Sequence, residues 1–558
     1  MKIALLFART ALVVSDHQIA SCAESSPPKT PTAKTINGTY EGLHLPGWDQ
    51  DAFLGIPYAQ PPVGQLRYRR PLPINESFTG VRKATQYGHS CMQYGSNFTI
   101  SEDCLTINVV RPSTRARAPL PVLVWVYGGG LYAGSAADPQ YNLSGIVRVS
   151  QETGSQPVIA VSMNYRLGQW GFFQTAQILA EGSSNAGLLD QRLAFHWVRE
   201  NIAAFGGDPD RVVLWGESAG AQSIAYHLFA HDGRDDKLFR GAILESGGPT
   251  GAQVEPLTWY ASAVENLTRT VGCWGAADQL ACLREIDEAT LFAAHPSVVW
   301  NPLLDGDFLT GYPSQLMQRG HYVKVPLLLG ANTDEGFAVS GTPLDTEQDL
   351  FDAIFAWRGY ALTPPTVRRV LELYPDDPCR EPPRAVTNCT RHPTRGAMWR
   401  RAAAIGADVV MVSGRRRMAE LYAGDAGTRV YSYRFDQRPW NGPEWDGVKH
   451  FVNVAFSFQN ISGLLGPSPE YDSHAQLARA IGRAYVAFVN HLDPNEVGSD
   501  GETITQGTLR LPRWPVYDLA APANMVLNAT RSWVEPDTWR KEGIAFMLTP
   551  EVAKELLS

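Results

Sequence analysis

The chain has 558 residues, of which 44% are hydrophobic and 19% are charged, and its formal net charge at pH 7 is −8. This composition is that of a folded globular protein, and it excludes a disordered or collagen-like chain. The modest negative charge and the lack of a basic stripe with interleaved aromatic residues give no sign of a nucleic-acid partner. The length permits one large α/β domain or about three ordinary ones.

The N-terminus predicts export. Residues 1–23 contain Lys2, an apolar stretch and the small-residue sequence Ser21-Cys22-Ala23, which together are typical of a secretory signal peptide. Arg9 interrupts the apolar stretch, so a short membrane anchor or an unprocessed N-terminus is the alternative. Residues 24–35 are rich in Ser, Pro, Thr and Lys, which predicts a flexible tail. No later segment has the roughly 20 consecutive apolar residues that span a bilayer, so we expect a secreted, extracellular protein without stable membrane insertion.

The cysteines and glycosylation sequons agree with this location. Of seven cysteines, six remain once Cys22 is removed with the signal peptide. They lie in three neighbouring pairs, which favours the pairing Cys91–Cys104, Cys273–Cys282 and Cys379–Cys389 among 15 possible connectivities. Eight Asn-x-Ser/Thr sequons predict a secreted glycoprotein; they begin at Asn37, Asn75, Asn97, Asn142, Asn266, Asn388, Asn460 and Asn528.

The order of predicted elements indicates an α/β architecture. Short apolar, β-branched runs, each followed by a loop, predict strands buried on both faces, at residues 121–130, 158–166, 211–220, 241–248, 325–336 and 429–436. Helical patterns lie between and after them, including residues 188–206 and 474–492. This alternation predicts a large, mostly parallel sheet flanked by helices. No repeat or linker divides residues 36–558, so we expect one domain.

A candidate nucleophile follows the third of these strands. Residues 216–220, GESAG, match the pattern G-x-S-x-G, in which small flanking residues permit a sharp turn that exposes the serine. A serine at a strand end is more often a capping or turn residue. The preceding apolar strand and the helical pattern that follows favour Ser218 as a nucleophile.

A glycine-rich loop supplies candidate oxyanion donors. Residues 127–135, YGGGLYAGS, follow the first predicted strand, and backbone amides of such a loop can stabilise a tetrahedral oxyanion. The natural donors are the amides of Gly129, Gly130 and Ala219. A phosphate-binding loop is the alternative, but the Lys-Ser/Thr of a P-loop is missing.

The general base and its acid should follow in the order serine, acid, histidine. His450 lies on a loop after a predicted strand and is favoured over three other histidines; these are His392, His474 and His491. Glu335 follows a strand directly, but Asp334 and Asp305 also lie between Ser218 and His450, and spacing alone does not choose among the three acids.

Two segments resemble the signatures of type-B carboxylesterases, the cholinesterase and carboxylesterase/lipase family. These are FGGDPDRVVLWGESAG at 205–220 and EDCLTINVVRP at 102–112. Similar stretches cover nearly the whole chain after the predicted signal peptide, and the secreted fungal-type carboxylesterases are the most similar group. The resemblance implies a single α/β-hydrolase domain in which Ser218 is the nucleophile, Glu335 the acid and His450 the base, with no cofactor or metal.

The resemblance also implies supporting residues. Ser246 would support the triad through hydrogen bonds, Arg67 and Glu102 would form an ion pair, and Cys273–Cys282 resembles a family disulfide. The third cysteine pair rests on proximity alone.

Two departures from the family pattern bear on the substrate. Leu131 follows the three glycines where relatives commonly have Phe, and the loop that Cys91 and Cys104 would close is short, whereas in lipase relatives it is a long flap. We therefore expect no large lid.

The predicted function is hydrolysis of small-molecule carboxylic esters through an acyl-enzyme. The alternatives are a narrow-specificity esterase, thioesterase or lipase that acts on a natural-product, plant or lipid ester, and a non-catalytic binding or adhesion member of the fold. The filled triad positions disfavour the last of these. Neither the ester nor the oligomeric state follows from the sequence.

Overall fold

A computed structural model describes residues 30–558 except 115, 154–156, 250–252, 297, 337–342, 357–360, 441, 461–462, 464–471, 496–508, 510 and 557–558. The predicted signal peptide and most of the predicted tail lie outside the described residues. Among the described residues, no helix combines the length and hydropathy of a transmembrane span.

The centre of the fold is an eleven-stranded sheet with the order β16-β15-β14-β13-β12-β11-β9-β10-β8-β4-β3. The strands in chain order are β1 Thr32–Thr35, β2 Gly38–Glu41, β3 Leu43–Leu45, β4 Gln50–Pro57, β5 Val81–Lys83, β6 Ser90–Cys91, β7 Ile100–Ser101, β8 Thr106–Pro112, β9 Leu120–Val126, β10 Ile159–Met163, β11 Gly207–Glu217, β12 Gly241–Glu245, β13 Leu327–Asn332, β14 Val430–Phe435, β15 Ala523–Leu527 and β16 Trp533–Pro536.

Strands β9 to β15 run parallel to one another, and antiparallel strands complete both edges of the sheet. The central parallel strands are buried because helices cover both faces of the sheet; every residue of β9, β10, β12 and β13 is buried. The six strands predicted from the sequence are confirmed.

The helices are α1 Ser144–Glu152, α2 Gly168–Phe172, α3 Ala176–Ala180, α4 Ala186–Asn201, α5 Ala219–Gly233, α6 Ala261–Thr270, α7 Gln279–Glu285, α8 Glu288–Ala293, α9 Pro313–Arg319, α10 Glu347–Ala356, α11 Pro364–Leu373, α12 Trp399–Ala407, α13 Ser413–Ala423, α14 Val454–Ser457, α15 Asp472–His491, α16 Lys541–Met547 and α17 Pro550–Glu555. Helical geometry in α5 is lost from Ala230 onward. Helices α4 and α15 lie where the periodicity predicts helices.

The predicted tail ends earlier than expected. Residues 24–35 were predicted to be flexible, but Thr32–Thr35 form β1, which pairs antiparallel with β2. The side chains of Ala33 and Thr35 are buried although Lys34 between them is exposed. An alternation of buried and exposed residues over only four positions cannot be distinguished from a polar tail in the sequence. Pairing with β2 stabilises this strand.

Three disulfides and an ion pair hold the periphery. The bonds are Cys91–Cys104, Cys273–Cys282 and Cys379–Cys389. Arg67 makes a two-point ion pair with Glu102 and also donates to the backbone carbonyls of Leu283 and Ile286. Both charged side chains are buried, so removing either one alone would leave an uncompensated charge.

Candidate active site

Ser218 occupies a strained turn between β11 and α5. Its backbone has φ 55° and ψ −126°, a conformation that residues other than glycine rarely adopt. Two glycines make this turn possible: a Cβ on Gly220 would lie 2.0 Å from the Val126 carbonyl oxygen, and one on Gly216 would lie 2.7 Å from the Gly220 carbonyl carbon. The turn therefore needs small residues at both positions, as the G-x-S-x-G pattern predicts.

A continuous hydrogen-bond chain joins the serine, the histidine and Glu335. The Ser218 Oγ lies 2.8 Å from His450 Nε2, and His450 Nδ1 lies 2.6 Å from Glu335 Oε2. The other carboxylate oxygen of Glu335 accepts a hydrogen bond of 2.6 Å from the Asn332 amide. These side chains come from the carboxyl ends of β11, β13 and β14, the edge where open parallel sheets bind ligands.

The rival acids have other partners. Asp334 accepts hydrogen bonds from the backbone amides of Val448 and Arg384, and it thereby fixes the loop that carries His450. Asp305 accepts from the amides of residues 307 and 309 and from the side chain of Asn185, as a turn residue does.

Two rival histidines also have contacts elsewhere. His392 packs against Trp399 and Trp445, and His474 contacts Gln437 and the ring of Phe456. His450 is thus the histidine that the structure brings to Ser218.

The glycine-rich loop lies directly against the serine turn. A Cβ on Gly128 would lie 2.9 Å from the Ser218 Cβ. Gly129 and Gly130 donate no backbone hydrogen bond within the part of the chain that the structure describes. Ala219 is the first residue of α5, so its amide has no acceptor within the helix. Amides of this kind are suited to receive an oxyanion beside Ser218.

Glu217 is a second carboxylate at the histidine, and the sequence motif does not predict it. Its Oε1 lies 3.3 Å from His450 Nε2, and neither carboxylate oxygen has a hydrogen-bond partner among the described residues. Burial raises the pKa of Glu217, the charge of His450 opposes this rise, and the neighbouring acids Glu335 and Glu245 add to it. The sequence signal that could have identified Glu217 is its position directly before Ser218, where the G-x-S-x-G motif accepts any residue.

The charge of the histidine depends on both carboxylates. Burial lowers the pKa of His450, but the charges of Glu217 and Glu335 and the hydrogen bond that His450 donates to Glu335 outweigh burial, so the pKa of His450 is raised. The site therefore stabilises an imidazolium, the charge that forms when histidine accepts a proton from serine.

The predicted hydrogen bonds of Ser246 to the triad are absent. Its hydroxyl is buried and has no partner among the described residues, while its backbone amide donates to the Gly330 carbonyl. The hydrogen-bond partners of the two Glu335 carboxylate oxygens are His450 and the backbone amide of Asn332, and the Ser246 hydroxyl is not among them.

The sheet order and the serine turn define the class of protein, an α/β-hydrolase. The carboxylesterase family model matches residues 29–542. Lipase 4 of Diutina rugosa is 33% identical over 93% of this chain and 96% of its own length, and lipase 1 of Geotrichum candidum is 32% identical over 92% and 93%. The crystal structure of Aspergillus niger EstA superimposes with a TM-score of 0.80 at 28% identity, covering 94% of this chain and 99% of EstA. A solved PNB esterase gives a TM-score of 0.73 at 28% identity, covering 92% and 99%.

The chain belongs to the carboxylesterase family and is a carboxylic ester hydrolase. The expected fold class is likewise confirmed by these structural neighbours.

Proposed function

We propose that the protein is a secreted serine esterase in which Ser218, His450 and Glu335 form the catalytic triad. The observation that carries the proposal is the unbroken chain of contacts from Glu335 through His450 to Ser218 Oγ. The strained serine turn and the adjacent free amides support it. The main hydrophobic core has members from residue 33 to residue 529, which supports a single catalytic domain over residues 36–558, and residues of α10, α11, α12, α16 and α17 form a second, smaller core.

In the first half of the reaction His450 Nε2 takes the Ser218 proton as Oγ forms a bond to the ester carbonyl carbon. The amides of Gly129, Gly130 and Ala219 stabilise the oxyanion, and Glu335 stabilises the imidazolium. The imidazolium then gives its proton to the departing alkoxide, which leaves as the alcohol. Water, deprotonated by His450, hydrolyses the acyl-enzyme and restores the Ser218 hydroxyl.

The carboxylate of Glu217 should set the acid limb of the pH profile. The base must be neutral, so kcat/KM rises as His450 loses its proton, and Glu217 helps to raise the pKa of His450. Glu217→Gln removes that charge, and we expect the acid limb to move to lower pH by roughly one unit, the scale of about 1.4 kcal/mol of differential interaction. The measurement is kcat/KM for a soluble ester across pH.

Glu381→Gln is the matched control, because Glu381 is also a buried carboxylate with a raised pKa but contributes to the pKa shift of neither His450 nor Glu217. Its acid limb should coincide with that of the wild type. If the acid limb of the kcat/KM profile of Glu217→Gln coincides with that of the wild type, the electrostatic role of Glu217 is contradicted.

The short disulfide loop supports a site without a large lid. Cys91 and Cys104 are 13 positions apart, and the loop is fixed to the body of the protein. Tyr94 stacks on Phe292 at 4.5 Å between ring centroids and donates a hydrogen bond to its carbonyl. A loop held this closely cannot act as a long flap, so we propose that soluble esters, rather than emulsified triglycerides, are the preferred substrates.

We expect hyperbolic kinetics with p-nitrophenyl esters of short acids and no rise in specific rate when the substrate passes its solubility limit. The experiment compares rates of the purified protein below and above that limit over a series of acyl lengths. A sharp increase at the limit would show interfacial activation and contradict the absence of a lid. Failure to hydrolyse any ester of the series would contradict the proposed function itself.

Secretion and glycosylation belong to the same proposal. Secreted lipase 1 of Botryotinia fuckeliana is 33% identical over 88% of this chain and 87% of its own length, which supports an extracellular location. Four of the eight sequon asparagines are exposed and accessible to a glycan; they are Asn75, Asn97, Asn266 and Asn388.

A further inference from the structure

The disulfide loop also reaches the glycine-rich loop of the active site. Gln93, two residues after Cys91, is 2% exposed and accepts a hydrogen bond of 3.0 Å from the Gly134 amide through Oε1. Its Nε2 donates to the Gly134 carbonyl at 2.8 Å and to the Cys91 carbonyl at 3.1 Å. One side chain therefore satisfies both backbone polar groups of Gly134 and links them to the disulfide.

Gly134 closes a tight turn that begins at the candidate oxyanion donors. The Gly129 carbonyl accepts hydrogen bonds from the amides of Tyr132 and Ala133, and a Cβ on Gly129 would lie 2.1 Å from the Ala133 oxygen. Gly134 has φ 127°, and a Cβ there would lie 2.5 Å from the Tyr127 ring. The turn is compact, so a shift at Gly134 is transmitted to Gly129.

Other hydrogen bonds hold the residues that follow Gly134. The Ser135 hydroxyl accepts from the Ser90 hydroxyl at 2.7 Å, and the Ala136 amide donates to Asn164 Oδ1. Gln93 is the side chain that binds the backbone of Gly134 itself, and it does so from a loop that a covalent bond closes.

We propose that Gln93 is a positioning residue that holds the oxyanion loop in its reactive geometry and couples it to the Cys91–Cys104 disulfide. The inference rests on the proposed function, because it requires that the backbone amides of Gly129 and Gly130 bind the oxyanion of the reaction. Gln93 acts through the loop and does not touch the substrate. Donors that are fixed before the reaction stabilise developing charge most effectively, so a loosened loop loses transition-state stabilisation rather than substrate binding.

Gln93→Glu tests this with little change in volume. The glutamate can still accept from the Gly134 amide, but a carboxylate oxygen replaces the Nε2 donor and faces two carbonyl oxygens. We expect kcat to fall about 10- to 100-fold with KM changed less than about 3-fold, because one oxyanion donor is worth on the order of 10²-fold or more. The affinity for a trifluoromethyl ketone, whose adduct with serine carries an oxyanion, should fall in parallel.

Gln93→Met is the second variant, because it removes both hydrogen bonds without adding charge. The matched control is Asn495→Asp: Asn495 makes the same kind of double contact, to the amide and carbonyl of Trp514, outside the site. We expect the control to lower thermal stability while kcat and ketone affinity per folded molecule stay at the wild-type values.

Unchanged kcat and ketone affinity in folded Gln93→Met, which has neither hydrogen bond to Gly134, would overturn the proposal. Equal losses of kcat in the Asn495 control would also overturn it, because they would mark a general effect of stability. Failure of the wild type to bind the ketone or hydrolyse esters would instead contradict the proposed function, so the two failures are distinguishable.

Discussion

Replacing Ser218 with alanine should lower kcat for ester hydrolysis by about 10⁶-fold while leaving the fold intact. Ser218 Oγ is the hydroxyl that contacts His450 Nε2, and no other hydroxyl among the described residues is hydrogen-bonded to that ring. Alanine also fits a turn in which the neighbouring glycines already provide the space. Rates with a soluble p-nitrophenyl ester and a thermal unfolding curve together give the measurement.

Ser150→Ala provides the comparison for this variant. Ser150 is fully buried in α1, donates to the Val147 carbonyl and accepts from the Val158 amide, so its loss affects stability away from the site. We expect its kcat to stay within about 2-fold of the wild type per folded molecule. A Ser218→Ala variant with comparable residual activity would remove Ser218 from the nucleophile position.

Replacing Glu335 with glutamine should lower kcat by about 10⁴-fold. The backbone amide of Asn332 can only donate, so the oxygen of the new glutamine side chain stays beside it. The NH₂ group of that side chain then faces His450 Nδ1. Nδ1 must then accept, which places the imidazole proton on Nε2 and removes the acceptor that Ser218 needs. The side chains of the variant keep their positions, but His450 holds the tautomer that cannot accept the Ser218 proton.

Asp305→Asn is the control for the acid, because the sequence left Asp305 as an alternative. Its contacts are those of a turn, with the amide of Leu309 and the side chain of Asn185. We expect activity within about 10-fold of the wild type. If Asp305→Asn loses more activity than Glu335→Gln, the acid has been assigned wrongly.

The central sheet could be predicted because burial on both faces leaves a strong signal. The sequence of β9, LPVLVWV, is wholly apolar, and such runs between helical patterns have few other interpretations. The N-terminal strands were missed because they are short and partly exposed. Residues 32–35 show only a four-residue alternation, and their stability comes from pairing with β2.

The site was predictable in part for a similar reason. Gly216 and Gly220 lie too close to neighbouring backbone atoms to carry a Cβ, so these positions require glycine and can be recognised as a sequence motif. Spacing could not separate Glu335 from Asp334, because adjacent residues after a strand point in different directions and only the turn decides which one reaches His450. The pairing of Gln93 with Gly134 joins residues 41 positions apart, and no local pattern reports such a contact.

Covalent labelling tests the central claim, that Ser218 is the acyl-accepting nucleophile, most directly. The purified protein is treated with a fluorophosphonate, and the adduct is counted by intact mass and located by peptide mapping. The account predicts one adduct per chain, on Ser218, formed in step with loss of esterase activity and absent from Ser218→Ala. An adduct on another residue that tracks the loss of activity, or labelling of Ser218→Ala at the wild-type rate, would contradict it.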